Sequence, residues 1–188
     1  ADFFDIRLVY LVAAVATLAI GVATAFLPGL GQPAAEWRRA VALLRGAAAA
    51  PGLVRTRGAT PADYTALAVQ LPAIGTLTAA EIRELASTTL VAEAPTGSVV
   101  VRAGDASDAG YFILEGRAVA GRDEAGGHRP LERLSAGDFF GEIAALTGVP
   151  RTANVVAEED TTLIQVPAVA LRRMSAKPEL NRLFLSKM

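Results

Sequence analysis

The hydrophobic rhythm of the chain changes twice. From Leu8 to Ala35 no residue carries a charge, and Leu8 to Leu27 supplies twenty consecutive apolar or small positions before Pro28 and Gly29. A helix rises 1.5 Å per residue, so this run would reach about 30 Å, one bilayer core. Gly21, Ala25, Ala13, Ala14, Ala16 and Ala19 give it a small-residue surface suited to close packing against other membrane helices. Residues 36–46 then show Trp37, Val41 and Leu44 on one side and arginines on the other, the pattern of a short helix, at a membrane interface or in a linker. A stretch rich in Ala, Pro and Thr runs on to about residue 70 and reads as linker.

Order returns at Leu77. Thr78 followed by Glu81 predicts a capping box, and Ile82 and Leu85 give that helix its apolar face. From Val91 the period falls to two. Short strands are cut by turns at Pro95-Thr96-Gly97, Gly104-Asp105 and Glu115-Gly116, and the same pattern continues through 126–141 and 154–167. About eight strands with glycine turns predict a β jelly roll or a related barrel. The last twenty-one residues read as two short helices divided near Pro178, with Leu180, Leu183 and Phe184 on one face. The fold class expected is a transmembrane α-helix followed by a β jelly-roll domain with flanking α-helices. Its divisions are 1–28 for the membrane helix, 29–73 for a juxtamembrane helix and linker, and 74–188 for the barrel.

Charge adds an orientation. Asp2, Asp5 and Arg7 precede the apolar run, whereas Arg38, Arg39, Arg45, Arg55 and Arg57 follow it. The excess of arginine places the carboxyl side in the cytoplasm and the span in the inner or plasma membrane, and the two leading aspartates argue against a signal peptide. The expected partners of the span are the lipid bilayer and other transmembrane helices, and a homo-oligomer is left open.

Composition mainly excludes. Lys plus Arg number 18 and Asp plus Glu 19, a net charge near −1, so no nucleic-acid partner is expected. There is no cysteine and one histidine, His128, which leaves no thiol chemistry and no histidine-rich metal cluster. No nucleophile–base set occurs, so no enzyme is expected.

Chemistry concentrates in 140–153, Phe-Gly-Glu-Ile-Ala-Ala-Leu-Thr-Gly-Val-Pro-Arg-Thr-Ala. Gly141 lets backbone approach a ligand, and the helical start at Ile143 and Ala144 offers free N–H groups to an anion. Arg151 can grip a phosphate through two parallel bonds, and Glu142 suits a sugar hydroxyl. By residue chemistry alone a structural ion pair between Glu142 and Arg151 fits equally well.

The stretch resembles the phosphate-binding cassette of cyclic nucleotide-binding domains, with Ala145-Leu146 slightly shifted. Gly104, Asp105, Asp108, Tyr111, Ile113 and Gly116 resemble that family's upstream line, and 77–86 resembles its lead-in helix. The resemblance covers about residues 74–188 and implies cyclic AMP or cyclic GMP as regulatory ligand. It implies that Glu142 accepts from the ribose 2′-hydroxyl, that Arg151 pairs with the cyclic phosphate, that Gly141, Ile143 and Ala144 complete the cradle, and that the helix carrying Leu180, Leu183 and Phe184 folds over the pocket as a lid. Thr152 falls where a hydroxyl touches phosphate or purine, and Asp105, Asp108 and Gly116 take structural turn positions. The opening segment resembles the last helix of a major facilitator superfamily transporter, which implies a nucleotide-sensing domain on the tail of a longer polytopic transporter. The alternatives are the end of a cyclic nucleotide-gated channel and a degenerate barrel that binds nothing.

Overall fold

The computed structural model describes residues 34–46, 52–106, 108–124 and 127–186. Two compact units divide at Arg39 and Ala40, and the second holds the fold described here. Its elements in chain order are α1 (Ala34–Gly46, of which Ala40 onward belongs to this unit), β1 (Val54–Gly58), α2 (Pro61–Gln70), a 3₁₀ turn (Pro72–Thr76), α3 (Ala79–Thr88), β2 (Leu90–Ala94), β3 (Val99–Val101) and β4 (Ala109–Glu115). There follow β5 (Arg117–Glu124), β6 (Gly127–Ser135), β7 (Phe139–Phe140), α4 (Glu142–Thr147), β8 (Asn154–Ala157), β9 (Thr161–Pro167), α5 (Ala168–Met174) and α6 (Pro178–Ser186).

The strands form two antiparallel sheets, a five-stranded one ordered β1-β2-β9-β4-β7 and a four-stranded one ordered β3-β8-β5-β6. Side chains alternate across a strand, and this sorts the core into layers. Tyr111, Ile113 and Leu163 of the first sheet meet Val101, Ala118, Leu134 and Val155 of the second. Phe112 and Ile164 point the other way and join Tyr64, Leu67, Ile74, Leu171, Leu180 and Phe184 from the helices. The outer face of the four-stranded sheet is apolar too, at Val99, Val119 and Val156, and Ala40 and Leu44 of α1 cover it. That cover explains why all four residues of β8 are buried when alternation alone would expose half of them.

Local chemistry fixes the helix ends. Thr78 accepts from the Glu81 N–H while the Glu81 carboxylate accepts from the Thr78 N–H at 2.7 Å, the expected capping box. Asp63 does the same for α2, accepting from the Thr60 N–H at 2.7 Å.

Several expectations are corrected. No helix among the described residues is long and apolar enough to cross a membrane. The longest described helix, α1, has 13 residues, about 20 Å of rise. The segment 8–27, on which the span was expected, lies outside the described residues. The transmembrane helix in the fold class, the attachment to a transporter, the bilayer and transmembrane-helix partners, and the inner- or plasma-membrane location are therefore not retained. The structure holds instead a mixed α/β fold of two antiparallel sheets with packed helices. The 36–46 helix is neither interfacial nor plain linker from Ala40 onward, because Ala40 and Leu44 are buried on the sheet. The 47–70 stretch, read as linker, carries β1 and α2, and Tyr64 and Leu67 within it have no solvent exposure. Alanine-rich composition hid α2, whose buried face rests on only two large residues.

Candidate ligand-binding site

A cavity of about 210 Å³ opens between the β5–β6 pair and the segment from Phe139 to Val155. Gly141, Glu142, Ile143, Ala144, Arg151 and Thr152, the six residues singled out in the sequence, all line it. Val101, Ala120, Leu131, Phe140, Ala153 and Val155 give it apolar walls, and Arg122 and Glu132 add charge on the β5–β6 side.

Gly141 makes the corner. It joins β7 to α4 with φ +83, in the left-handed region that favours glycine. The first bond of α4 runs from the Ala145 N–H to the Gly141 carbonyl at 3.2 Å. The N–H groups of Ile143 and Ala144 precede it in the open first turn. Glu142 begins the helix and is buried, with 5% exposure.

Arg151 is buried to the same 5%. Its Nη1 donates to the Gly141 carbonyl at 2.8 Å and its Nη2 to the Ala109 carbonyl at 2.5 Å. The guanidinium lies 5.7 Å from the centre of the Tyr111 ring, which stacks in turn on Phe140 at 5.3 Å. Burial draws the Arg151 pKa down from its ordinary value, while Tyr111, Glu142, Asp105 and Asp108 act to raise it. Burial likewise pushes the Tyr111 hydroxyl up, and the nearby Arg151 charge opposes that. An arginine remains cationic through such shifts, so the cavity wall holds a fixed positive charge beside one buried carboxyl group.

The upstream residues hold this arrangement from behind. The Gly104 N–H donates to the Arg151 carbonyl at 2.8 Å, and the Arg151 N–H donates to the Asp105 carbonyl at 2.9 Å. The Asp108 carbonyl accepts from the Ala168 N–H at 2.5 Å, which ties the same loop to the start of α5. Among the cavity's lining there is no residue of α6. Leu180 and Phe184 are fully packed in the helical core, Phe184 with its ring centre 4.9 Å from that of Phe139, so in this structure the expected lid faces the core. His128 sits in β6 opposite Asp123.

Sequence reasoning missed Ala109, Arg122 and Glu132. No side-chain pattern could mark Ala109, which meets Arg151 through its backbone carbonyl. Arg122 was legible in principle: Ala118, Ala120 and Arg122 share one face of a strand by period two.

Residues 91–177 match the family model of the cyclic nucleotide-binding domain. A cyclic nucleotide-gated potassium channel of Rhizobium etli is 38% identical over 87 residues, which cover 46% of this chain and 23% of the channel. A cAMP-dependent protein kinase regulatory subunit of Pyricularia oryzae is 33% identical over 105 residues, covering 56% of this chain and 26% of the subunit. The chain thus spans about a quarter of the length of these relatives. Among solved structures, a cyclic nucleotide-binding domain from Methylobacillus flagellatus superposes with a TM-score of 0.58 at 25% identity, covering 71% of this chain and 77% of that one. The regulatory domain of Toxoplasma gondii PKA with cAMP gives 0.56 at 25% identity, covering 65% and 48%. The ligand class that goes with the matched domain is a cyclic nucleotide, cyclic AMP or cyclic GMP. The likeness is to a binding domain and to proteins named as regulatory subunits, which supports a non-enzymatic role.

Proposed function

We propose that the cavity binds a cyclic nucleotide and that the domain reports its presence as a regulatory sensor. The observation that carries this reading is the placement of Arg151 and Glu142, both buried, in the wall of one cavity built by the 141–153 segment. A ligand with a phosphate and a neighbouring hydroxyl suits a buried guanidinium and a buried carboxyl group in one wall, because each would meet it through a charge-assisted hydrogen bond. Arg151 pairs with the cyclic phosphate. The Gly141 and Ala109 carbonyls set its orientation in advance. Glu142 accepts from the ribose 2′-hydroxyl. The N–H groups of Ile143 and Ala144, with the backbone at Gly141, cradle the phosphate oxygens, and the Thr152 hydroxyl reaches the phosphate or the purine.

Titration calorimetry on the whole chain tests the reading. Cyclic AMP or cyclic GMP should give saturable heat. Arg151→Ala should weaken binding by roughly 2–5 kcal/mol, the range for removing one partner of a buried charge pair, and Glu142→Ala by less. Absence of heat with either nucleotide at millimolar concentration would overturn it, and unchanged affinity in Arg151→Ala would overturn the role given to that residue.

A further inference from the structure

Tyr111 stands in the 104–116 pattern but is absent from the cavity's lining. It lies one layer behind, 6% exposed on β4, with its ring centre 5.7 Å from Cζ of Arg151. β4 pairs with β7 so that Tyr111 is opposite Phe140, and the two rings stack at 5.3 Å with planes 19° apart. The two strands contribute alike to the seat of Arg151. β4 offers the Ala109 carbonyl to Nη2 and the Tyr111 ring to the guanidinium. β7 fixes the plane of that ring through Phe140, and the next residue, Gly141, offers its carbonyl to Nη1.

We infer that Tyr111 is the positioning residue of Arg151, and that the negative face of its ring keeps the guanidinium seated in the cavity wall before the ligand arrives. The inference rests on the nucleotide-binding reading of the same cavity. Burial to 5% strips water from Arg151 and draws its pKa down. An aromatic face within about 6 Å attracts a cation, most strongly where water is excluded. The ring thus joins the two carbonyls in offsetting the lost hydration. It carries no net charge, because burial pushes the Tyr111 hydroxyl up and keeps it protonated at neutral pH. It therefore leaves intact the positive charge that a phosphate must meet, which a carboxylate in its place would cancel. A guanidinium that left the seat would have to be returned on binding, and apparent affinity falls with the fraction of molecules in which it is seated.

The test keeps the shape of the ring and changes its charge distribution. Tyr111 is replaced by phenylalanine, and then by phenylalanine bearing one, two and three ring fluorines, which draw electron density from the face. Titration calorimetry on the whole chain gives the affinity for cyclic AMP and cyclic GMP. Tyr111→Phe keeps the face and should stay within about twofold of the parent. Affinity should then step down with each fluorine, to about threefold or more below Tyr111→Phe at the third, and Tyr111→Leu should lose about threefold to thirtyfold. Nitrogen NMR of the nucleotide-free chain gives a second readout. The guanidinium of a seated Arg151, identified by its loss in Arg151→Lys, should show separate Nη signals in the parent and in Tyr111→Phe, and averaged ones in Tyr111→Leu. Affinity that stays flat or rises along the fluorine series would overturn the inference, because packing depends on shape alone. So would Nη signals unchanged in Tyr111→Leu. A parent chain that binds neither nucleotide would instead sink the underlying reading of the cavity, and the role of Tyr111 in binding with it.

Discussion

Arg151 occupies the space that a side chain at position 141 would need. A Cβ added to Gly141 would collide with Nη1 of Arg151 and come within 3.3 Å of its Cζ. The glycine therefore serves two ends at once, the left-handed corner at φ +83 and the seat of the guanidinium.

Gly141→Ala should accordingly separate binding from folding. The left-handed backbone costs an alanine about 1–2 kcal/mol, and the displaced arginine loses its hold on the Gly141 and Ala109 carbonyls. Gly97→Ala is the matched control, because Gly97 has φ +82 with nothing within 4 Å of the added carbon. Both variants should melt at lowered temperatures, Gly141→Ala the lower because it also displaces buried Arg151, while only Gly141→Ala loses most of its nucleotide affinity in titration calorimetry. Normal affinity in Gly141→Ala would show that the arginine's seat does not matter.

Leu44 tests whether α1 belongs to the domain. It is 1% exposed, and its Cδ2 would stand 3.1 Å from a Cβ at Gly121 on β5. Leu44→Ala should cost about 2–5 kcal/mol, the usual range for a buried leucine. Arg45→Ala, one residue on and exposed, should cost close to nothing. Urea denaturation of the two variants beside the parent chain decides the matter, and a Leu44→Ala midpoint equal to the parent's would mean that α1 is not docked.

What could be read in the sequence was the part with short-range signals. The α3 capping box needs only Thr78 and Glu81 three positions apart, and the turns at Gly97, Gly104 and Gly116 announce themselves by residue type. The 140–153 segment was legible because its candidate residues sit close together along the chain. What failed depended on distant partners. Nothing in Leu44 says that it will cover Val119 and Val156, and Tyr64 and Leu67 lie among alanines and threonines with no run of bulky residues to mark α2. The lid expected of Leu180, Leu183 and Phe184 had the right face, but amphipathicity cannot tell a core from a pocket, and Leu180 and Phe184 pack into the core.

Acid should expose the contribution of Asp63. Its carboxylate accepts from Arg57 Nη1 at 2.8 Å and Nη2 at 2.6 Å, and from the Thr60 N–H and hydroxyl. The Arg57 hydrogen bonds are the main reason its pKa falls to about 2, against the opposing effect of partial burial. A depressed carboxylate stabilises the fold fully above the unfolded value of about 4 and loses that contribution as pH falls toward the folded value. Arg57 is half exposed, so solvent screening reduces the worth of the pair to about 1–2 kcal/mol. Asp63→Asn should be less stable than the parent by that amount at neutral pH, with the gap closing toward pH 2. Glu81, held at about 2 by the Thr78 N–H and then by Lys177, titrates in the same window, and taking the difference between variant and parent removes it. A gap that stays constant with pH would show that the ion pair does not form.

The last prediction concerns where the folded domain begins. Motif reading puts its start at residue 74, but β1 pairs with β2 along Val54–Gly58, and α2 buries Tyr64 and Leu67 completely. The Tyr64 hydroxyl lies 3.0 Å from that of Thr89, which donates in turn to the Leu85 carbonyl at 2.9 Å, and burial pushes the Tyr64 pKa up to about 12. Removing residues 34–73 would strip one edge strand from the five-stranded sheet and uncover the helix-side core around Phe112 and Ile164. A chain spanning 74–188 should therefore bind an apolar dye and melt without a cooperative transition, whereas 34–188 should melt as one unit. Point variants in 34–188 grade the same effect. Tyr64→Phe should cost about 0.5–1.5 kcal/mol for the lost hydrogen bond, and Tyr64→Ala about 3–5 kcal/mol for the cavity. A 74–188 fragment with a sharp melt at the temperature of the longer chain would return α2 to the status of a linker.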